Sequence, residues 1–416
     1  MKNLKKVDTN YYLPDCFLIF LSNKKLNESN FISSSDFFHE YIHYLQTISL
    51  PFMQIQFVHF AETLATMANQ AYETGVNCRP FKTSINEIQI VNEKLFHHYF
   101  DLDDNSFTSF SNFIGFDKEI ENITESISVN KYYLTFENYD LQNIKYKISG
   151  LDLIENMAAN IEASIFGKQN IPDFPYRCIN ILIKQKYQAL NLNENQITKL
   201  IELSLYTLDP VDFLFDRLDF MLSLKRAIIE EEYTDIFFRH LSFQGNTKDM
   251  TFDSVFDWMN YSKCNICKNL NNIFGVIAFR YETNHFKNII DYAYSKRKMN
   301  LTLLSDMANT SREKLPNIFA EYTLPLVHLA NDHIVSSENF DGKLTLIPAI
   351  LDTVYENLCG SLDKKCQLYG SCTCLEDEGL GCSYTDTKCI TDPFEKDLDL
   401  IDCPFSLYVR AKKIVN

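Results

Sequence analysis

The stretch Ser33-Ser34-Ser35-Asp36-Phe37-Phe38-His39-Glu40-Tyr41-Ile42-His43-Tyr44-Leu45-Gln46-Thr47-Ile48-Ser49-Leu50-Pro51 decides how the rest of the chain is read. Its opening Ser/Asp cluster offers side-chain oxygens to the unpaired N–H groups of a first helical turn. Phe38, Ile42 and Leu45 then recur at helical spacing, and Pro51 has no N–H to continue the ladder, so the predicted helix stops before it. On that helix His39 and His43 are separated by one turn and about 40° around the axis, so both imidazoles share a face. Two imidazoles so related can hold one metal ion. Glu40 lies about 100° from His39 but about 60° from His43, at the edge of that face. From there a carboxylate can take a proton from water as it attacks a carbonyl, then return it to the leaving group. Gln46 extends the stripe by one turn, where it can orient a ligating ring.

His39-Glu40-Tyr41-Ile42-His43 resembles the HExxH active-site helix of zinc metallopeptidases, the zincins. The resemblance implies hydrolysis of a peptide or protein substrate by zinc-bound water, with His39 and His43 as zinc ligands and Glu40 as general base. A catalytic zinc also takes a third protein ligand and keeps one position open. The metzincin branch would place a Gly and then a His shortly after His43; Gln46 and Ser49 stand there instead and exclude it. The thermolysin-like branch, the gluzincins, uses a glutamate on a later helix, and two candidates fit. Glu62, in Ala61-Glu62-Thr63-Leu64-Ala65, follows His43 at a separation close to thermolysin's. Glu155 lies in Leu153-Ile154-Glu155-Asn156-Met157-Ala158-Ala159-Asn160-Ile161-Glu162, preceded by Gly150. Ala158 and Ala159 flank its face and would let that helix approach the first closely. This segment looks like the second-glutamate helix of the zincin group, so Glu155 is the preferred third ligand, with Glu62 as the alternative. Glu162, two turns beyond, can hold a ligating His by hydrogen bonding. The resemblance covers the first 170 residues and leaves the oxyanion-stabilising group unassigned.

Outward from these two segments, residues 16–22 read as a short buried strand, and 57–72 and 86–100 as helices. Residues 101–112, rich in Asp, Asn and Ser, read as a loop. Residues 131–149 alternate aromatic and polar on both sides of Asn138-Tyr139-Asp140, a hairpin pattern, and 151–166 return to helical spacing. Pro172 and Pro175 mark a boundary, after which helices dominate from 193 to 340, punctuated at Asp209-Pro210 and Leu315-Pro316. The expectation is an α+β chain, predominantly α-helical: a zincin-like unit over 1–170, a helical region over 171–350 and a Cys-rich tail over 351–416.

That tail holds seven of the 12 cysteines: Cys359, Cys366, Cys372, Cys374, Cys382, Cys389 and Cys403. Their spacing matches no zinc ribbon or ferredoxin, but a short loop-rich segment buries little apolar surface and needs a staple. A second, structural metal held by four of them, zinc or an iron–sulfur cluster, is expected; free thiols, or disulfides in an exported protein, are the other outcomes. Cys264-Asn265-Ile266-Cys267 suits half a zinc site or a redox pair.

Composition bounds the rest. The 416 residues are 46% hydrophobic and 14% aromatic, ample for a packed interior, while 11 Gly and 11 Pro favour helices over a turn-rich sandwich. With 39 Lys+Arg against 55 Asp+Glu the net charge is −16, which argues against non-specific binding to nucleic acid or to an anionic membrane. No apolar run reaches the roughly 18–20 residues of a membrane span and no signal segment is visible, so a cytoplasmic protein is expected. Two rival readings stand beside the hydrolase. One is a binding or regulatory protein on the same scaffold without turnover. The other is a di-iron carboxylate protein, in which Glu40-x-x-His43 and Glu282-x-x-His285 join Glu62 and Glu155, although the chain order is unlike that of ferritin-like folds. His97-His98, adjacent and so on different helix faces, reads as a partly exposed pair and Glu230-Glu231-Glu232 as a solvated helix face.

Overall fold

A computed structural model describes residues 10–27, 29–101, 103, 109–167, 171–225, 243–244, 251–252, 254–274, 280–330, 334–335, 346–360, 365–370, 372–373, 385–395 and 403–414. Cys374, Cys382 and Glu230-Glu231-Glu232 lie outside the described residues.

The chain opens with two antiparallel strands, β1 (Tyr11–Leu13) and β2 (Leu18–Leu21), with Tyr11 opposite Phe20. Helix α1 (Ser35–Ser49) follows, and the Ser34 hydroxyl accepts the Phe37 N–H at 3.1 Å, satisfying one free donor of its first turn. Every residue from Phe37 to Ser49 is buried, so α1 runs through the interior. Pro51 ends α1 as expected, yet it also begins α2 (Pro51–Thr74), earlier than the helix expected from residue 57. A proline is well placed at a first helical position, where its missing N–H would have had no partner. Helix α3 (Glu87–Phe100) is capped by Asn86, whose side chain accepts the Gln89 N–H.

Strands β3 (Phe110–Asn122), β4 (Ser128–Asn138) and β5 (Asn143–Ile148) make an antiparallel meander in that order. The hairpin expected over 131–149 is β4–β5; Asn138 Oδ1 closes its turn by accepting the N–H groups of Asp140 and Gln142. β3 was not anticipated, and its start at Phe110 shortens the expected loop. It is an edge strand with most side chains at least partly exposed, so no buried face stamps an alternating pattern on it.

Helix α4 (Gly150–Phe166) begins with a capping box between Ser149 and Asp152 and packs along α1. Its first residue must be glycine: a Cβ there would lie 2.3 Å from Phe52 Cζ of α2 and 2.9 Å from the Tyr99 carbonyl oxygen of α3. The helical region continues through α5 (Cys178–Lys186), α6 (Glu194–Ser204) and α7 (Pro210–Leu224). A two-residue hairpin, β6 (Phe243–Gln244) and β7 (Thr251–Phe252), precedes α8 (Val255–Phe274), α9 (Arg280–Met299), α10 (Leu303–Met307) and α11 (Leu315–Tyr322).

Inside the stretch expected to be helical to residue 340, β8 (Leu326–Leu329) and β9 (Ile334–Val335) are strands. β8 runs parallel to β2, Leu18 opposite Leu326, and completes a sheet of order β1-β2-β8-β9. A four-residue segment, Leu326-Val327-His328-Leu329, is too short to show a periodicity of its own; its partner, about 300 residues earlier, makes it a strand. The tail contributes α12 (Leu346–Leu358), α13 (Lys388–Thr391) and α14 (Pro404–Ala411). The fold is therefore α+β and predominantly helical, and one buried apolar cluster extends from Tyr12 to Ile414.

The fully buried Arg297 of α9 fixes the far end of α1. Its guanidinium pairs with Glu202 of α6 and donates to the Ser49 hydroxyl at 2.9 Å. Glu202 also accepts the N–H groups of Leu304 and Ser305 at the start of α10, where a carboxylate complements the helix dipole. Among the described residues no helix is long and apolar enough to cross a membrane.

Candidate metal centre

α1 presents His39 and His43 toward α4, and Glu155 of α4 meets them. The Glu155 Oε2 lies 3.1 Å from His39 Nε2 and 3.3 Å from His43 Nε2, and the two Nε2 atoms are 3.2 Å apart. An ion held tetrahedrally at about 2.0–2.1 Å needs donor atoms about 3.3–3.4 Å apart, so this near-equilateral triangle has the right dimensions. Among the described residues it is the one group of three His, Cys, Asp or Glu side chains with ligand atoms this close.

The other ring nitrogens settle which atoms are free to bind. His39 Nδ1 lies 2.9 Å from Glu162 Oε2, and a carboxylate can only accept, so Nδ1 carries the proton. His43 Nδ1 lies 2.8 Å from Gln46 Oε1. Gln46 Nε2 donates to the Ile154 carbonyl at 3.2 Å, which turns its amide oxygen toward the ring and makes His43 Nδ1 a donor as well. Both Nε2 atoms therefore face the same Glu155 oxygen, a point where either a proton or a cation can bridge nitrogen and carboxylate. A His-His-Glu group that could bind a metal ion is thus built from His39, His43 and Glu155.

The group's electrostatics follow from its burial. Burial alone would pull the His39 imidazole down, but its hydrogen bonds to the Glu155 and Glu162 carboxylates outweigh it and hold the ring well above the usual histidine range. His43 is raised in the same way, its burial overcome by Glu155. Burial would raise the Glu155 carboxyl, yet His43 and His39 hold it well below the ordinary glutamate range. Glu40, buried without a hydrogen bond among the described residues, is pushed by burial up to about 7 against the pull of both imidazoles.

No family model, curated protein or solved structure matches this chain. What can be said of the site comes from its own residues.

Glu40 lines a cleft of about 50 Å³ together with the three possible ligands, Tyr11 and Tyr12 of β1, Gln56 of α2 and Tyr176. The Gln56 Oε1 is buried and lacks a hydrogen-bond partner among the described residues. The Tyr176 ring centroid lies 5.7 Å from that of His39, edge-on. Neither residue is marked in the sequence, because each arrives by tertiary packing and stands at no fixed spacing from the HExxH pattern.

Glu62, the alternative ligand, is not with the histidines. It lines a separate cavity of about 230 Å³ between α2, α3 and α8, with His59, Phe96 and Trp258. Gln56 and Glu62 lie more than 100° apart around α2, so the two cavities open on different sides of it. His285 on α9 also stands outside the group of three. His97 is exposed and bonded to Asp101 at 3.0 Å, whereas His98 is buried and lowered to about 4 by that burial, so the two rings point to different faces and the pair is partly exposed, as expected. Cys264 and Cys267 on α8 are free thiols, and burial pushes Cys267 up to about 11, opposite to an activated redox cysteine.

Proposed function

We propose that the chain is a zinc-dependent hydrolase, acting on a peptide or protein in a cytoplasmic setting, with Glu40 as general base. The observation carrying this reading is the way the two rings are oriented: Glu162 and Gln46 engage both Nδ1 atoms and leave the two Nε2 atoms facing the Glu155 carboxylate. Two imidazoles and one carboxylate are the protein ligands of thermolysin-type catalytic zinc, with a fourth position left for water or substrate. Bound there, zinc would acidify water and polarise a carbonyl. The chain's own residues would do the rest. Glu40, on the same helix and in the same cleft but outside the ligand set, takes a proton and returns it to the leaving group. The Tyr176 hydroxyl is the candidate donor to the developing oxyanion. Tyr11 and Tyr12, on edge strand β1, would border the substrate.

One observation favours the second reading, a metal-binding scaffold without turnover: a cleft of about 50 Å³ is small beside the roughly 300–1,000 Å³ of typical ligand sites. Glu40→Gln and His39→Ala, compared with wild type for zinc content and for cleavage of a fluorogenic peptide library, separate the two. A hydrolase should retain zinc in Glu40→Gln and lose about 10²–10⁴-fold in rate, the usual contribution of a general base. Zinc bound by wild type with no cleavage anywhere in the library would support the scaffold, and full activity in Glu40→Gln would remove Glu40 from the chemistry.

A further inference from the structure

Five of the tail's cysteines lie among the described residues, and they separate into two groups. Cys359 directs its thiol to Met67 Sδ of α2, at 3.7 Å. Cys366, Cys372, Cys389 and Cys403 instead converge from three stretches of chain: the thiols of Cys372, Cys389 and Cys403 all lie within electrostatic reach of Cys366. The backbone holds them there. The Cys366 N–H donates to the Cys389 carbonyl at 2.7 Å, the Tyr369 N–H closes a turn on the Cys366 carbonyl at 3.0 Å, and the Cys372 N–H donates to the Leu368 carbonyl at 2.9 Å. Phe394 packs edge-on against Phe405 at 5.2 Å, joining the segment after Cys389 to the helix that Cys403 begins. Asp392, between them, takes a bidentate ion pair from Arg79. Cys366, Cys389 and Cys403 are buried, Cys372 is half-buried, and none of the four is in a disulfide.

We propose that these four cysteines are the ligands of a second metal centre, of the thiolate-bound class that comprises structural zinc and iron–sulfur clusters. Four is the ligand number of closed Cys-only zinc sites and of cubane clusters. The Cys366 sulfur accepts the Leu368 N–H, and hydrogen bonds of that kind tune the thiolates of such sites. The described chain around them forms short elements, such as the four-residue α13 and the eight-residue α14, which offer little structure to hold three buried thiols and a half-buried fourth together by apolar packing alone. No three of the four sulfurs lie within 4.8 Å of one another. A single tetrahedral zinc sets sulfurs about 3.8 Å apart, so zinc would require the thiols to move closer together, whereas a cluster spans a wider gap.

The test is metal and acid-labile sulfide content of the full-length protein, purified without oxygen or chelator. Wild type should hold metal beyond that lost in His39→Ala. That extra metal should fall about tenfold or more in Cys366→Ser and Cys389→Ser and stay in Cys359→Ser. Iron with sulfide and broad visible absorption identifies a cluster; colourless zinc identifies a single ion; either supports the site. Equal metal in wild type and Cys366→Ser overturns it. Wild-type protein supplies a check independent of the variants' folding: alkylation mapped by mass spectrometry should spare the four cysteines until the metal is stripped. Unchanged alkylation after stripping also overturns the proposal.

Discussion

The Nδ1–H of His39 meets a carboxylate and that of His43 a neutral amide oxygen, so the two rings of one site differ in basicity. Glu162 makes His39 the stronger donor to a cation, as outer carboxylates do for metal-bound histidines. Glu162→Ala should therefore weaken metal binding by about 10–100-fold without removing a ligand, read by competition with a chromophoric chelator. Glu162→Gln, which can still accept from Nδ1, should fall between. Equal affinities for all three proteins would show that the contact orients nothing. At this scale the sequence was informative where chemistry imposes a spacing. His39, Glu40, His43 and Gln46 are set by one helix, and Glu155 and Glu162 by two turns of another. Tyr176 and Gln56 were illegible, since only tertiary packing brings them to the cleft.

Helix ends carry much of the positioning. Gly150→Ala drives a methyl into Phe52 and the Tyr99 carbonyl, and overpacking of that kind costs about 1–3 kcal/mol. Because α4 carries Glu155, a lower melting temperature should be accompanied by weaker metal binding; an unchanged melting temperature would contradict the close approach. Asp209 caps α7 by accepting the Asp212 N–H, and burial pushes its carboxyl from 3.8 to about 7, with Asp212 and Asp216 adding to the rise and Lys118 opposing it. A carboxyl raised in the folded state binds its proton more tightly there than in the unfolded chain. Its contribution to stability is therefore complete below about pH 4 and is lost as pH rises through about 7. Asp209→Asn keeps a capping oxygen and has no charge to bury. Its advantage in denaturant unfolding should grow between pH 5 and pH 8 to on the order of 1 kcal/mol, and a pH-independent difference would reject this account. Capped helices such as α1, α3 and α4 were readable because caps and breakers are local. β3 and β8 were not, one lacking a buried face and the other a nearby partner.

At the scale of the molecule, α1 is held at its C-terminal end and along its middle by distant chain: Ser49 by Arg297, and Tyr41 and Tyr44 by the carbonyls of Thr323 and Tyr322. Arg297→Met would leave the Glu202 carboxylate buried without its cation, a change worth about 3–5 kcal/mol, measurable by denaturant unfolding; a cost below about 1 kcal/mol would mean the pair is dispensable. The α+β, mostly helical class was legible from composition and periodicity, but the sheet that joins the first strands to residues 326–335 was not. That sheet bears on how the protein is made. β2 occupies an inner position, yet its parallel neighbour is about 300 residues downstream. At ribosomal speeds of roughly 5–20 residues per second, the newborn strand waits on the order of 15–60 s with one edge unclaimed. Holdase chaperones should therefore be found on nascent chains halted before residue 326 and absent from those extended past residue 335, once β9 has emerged.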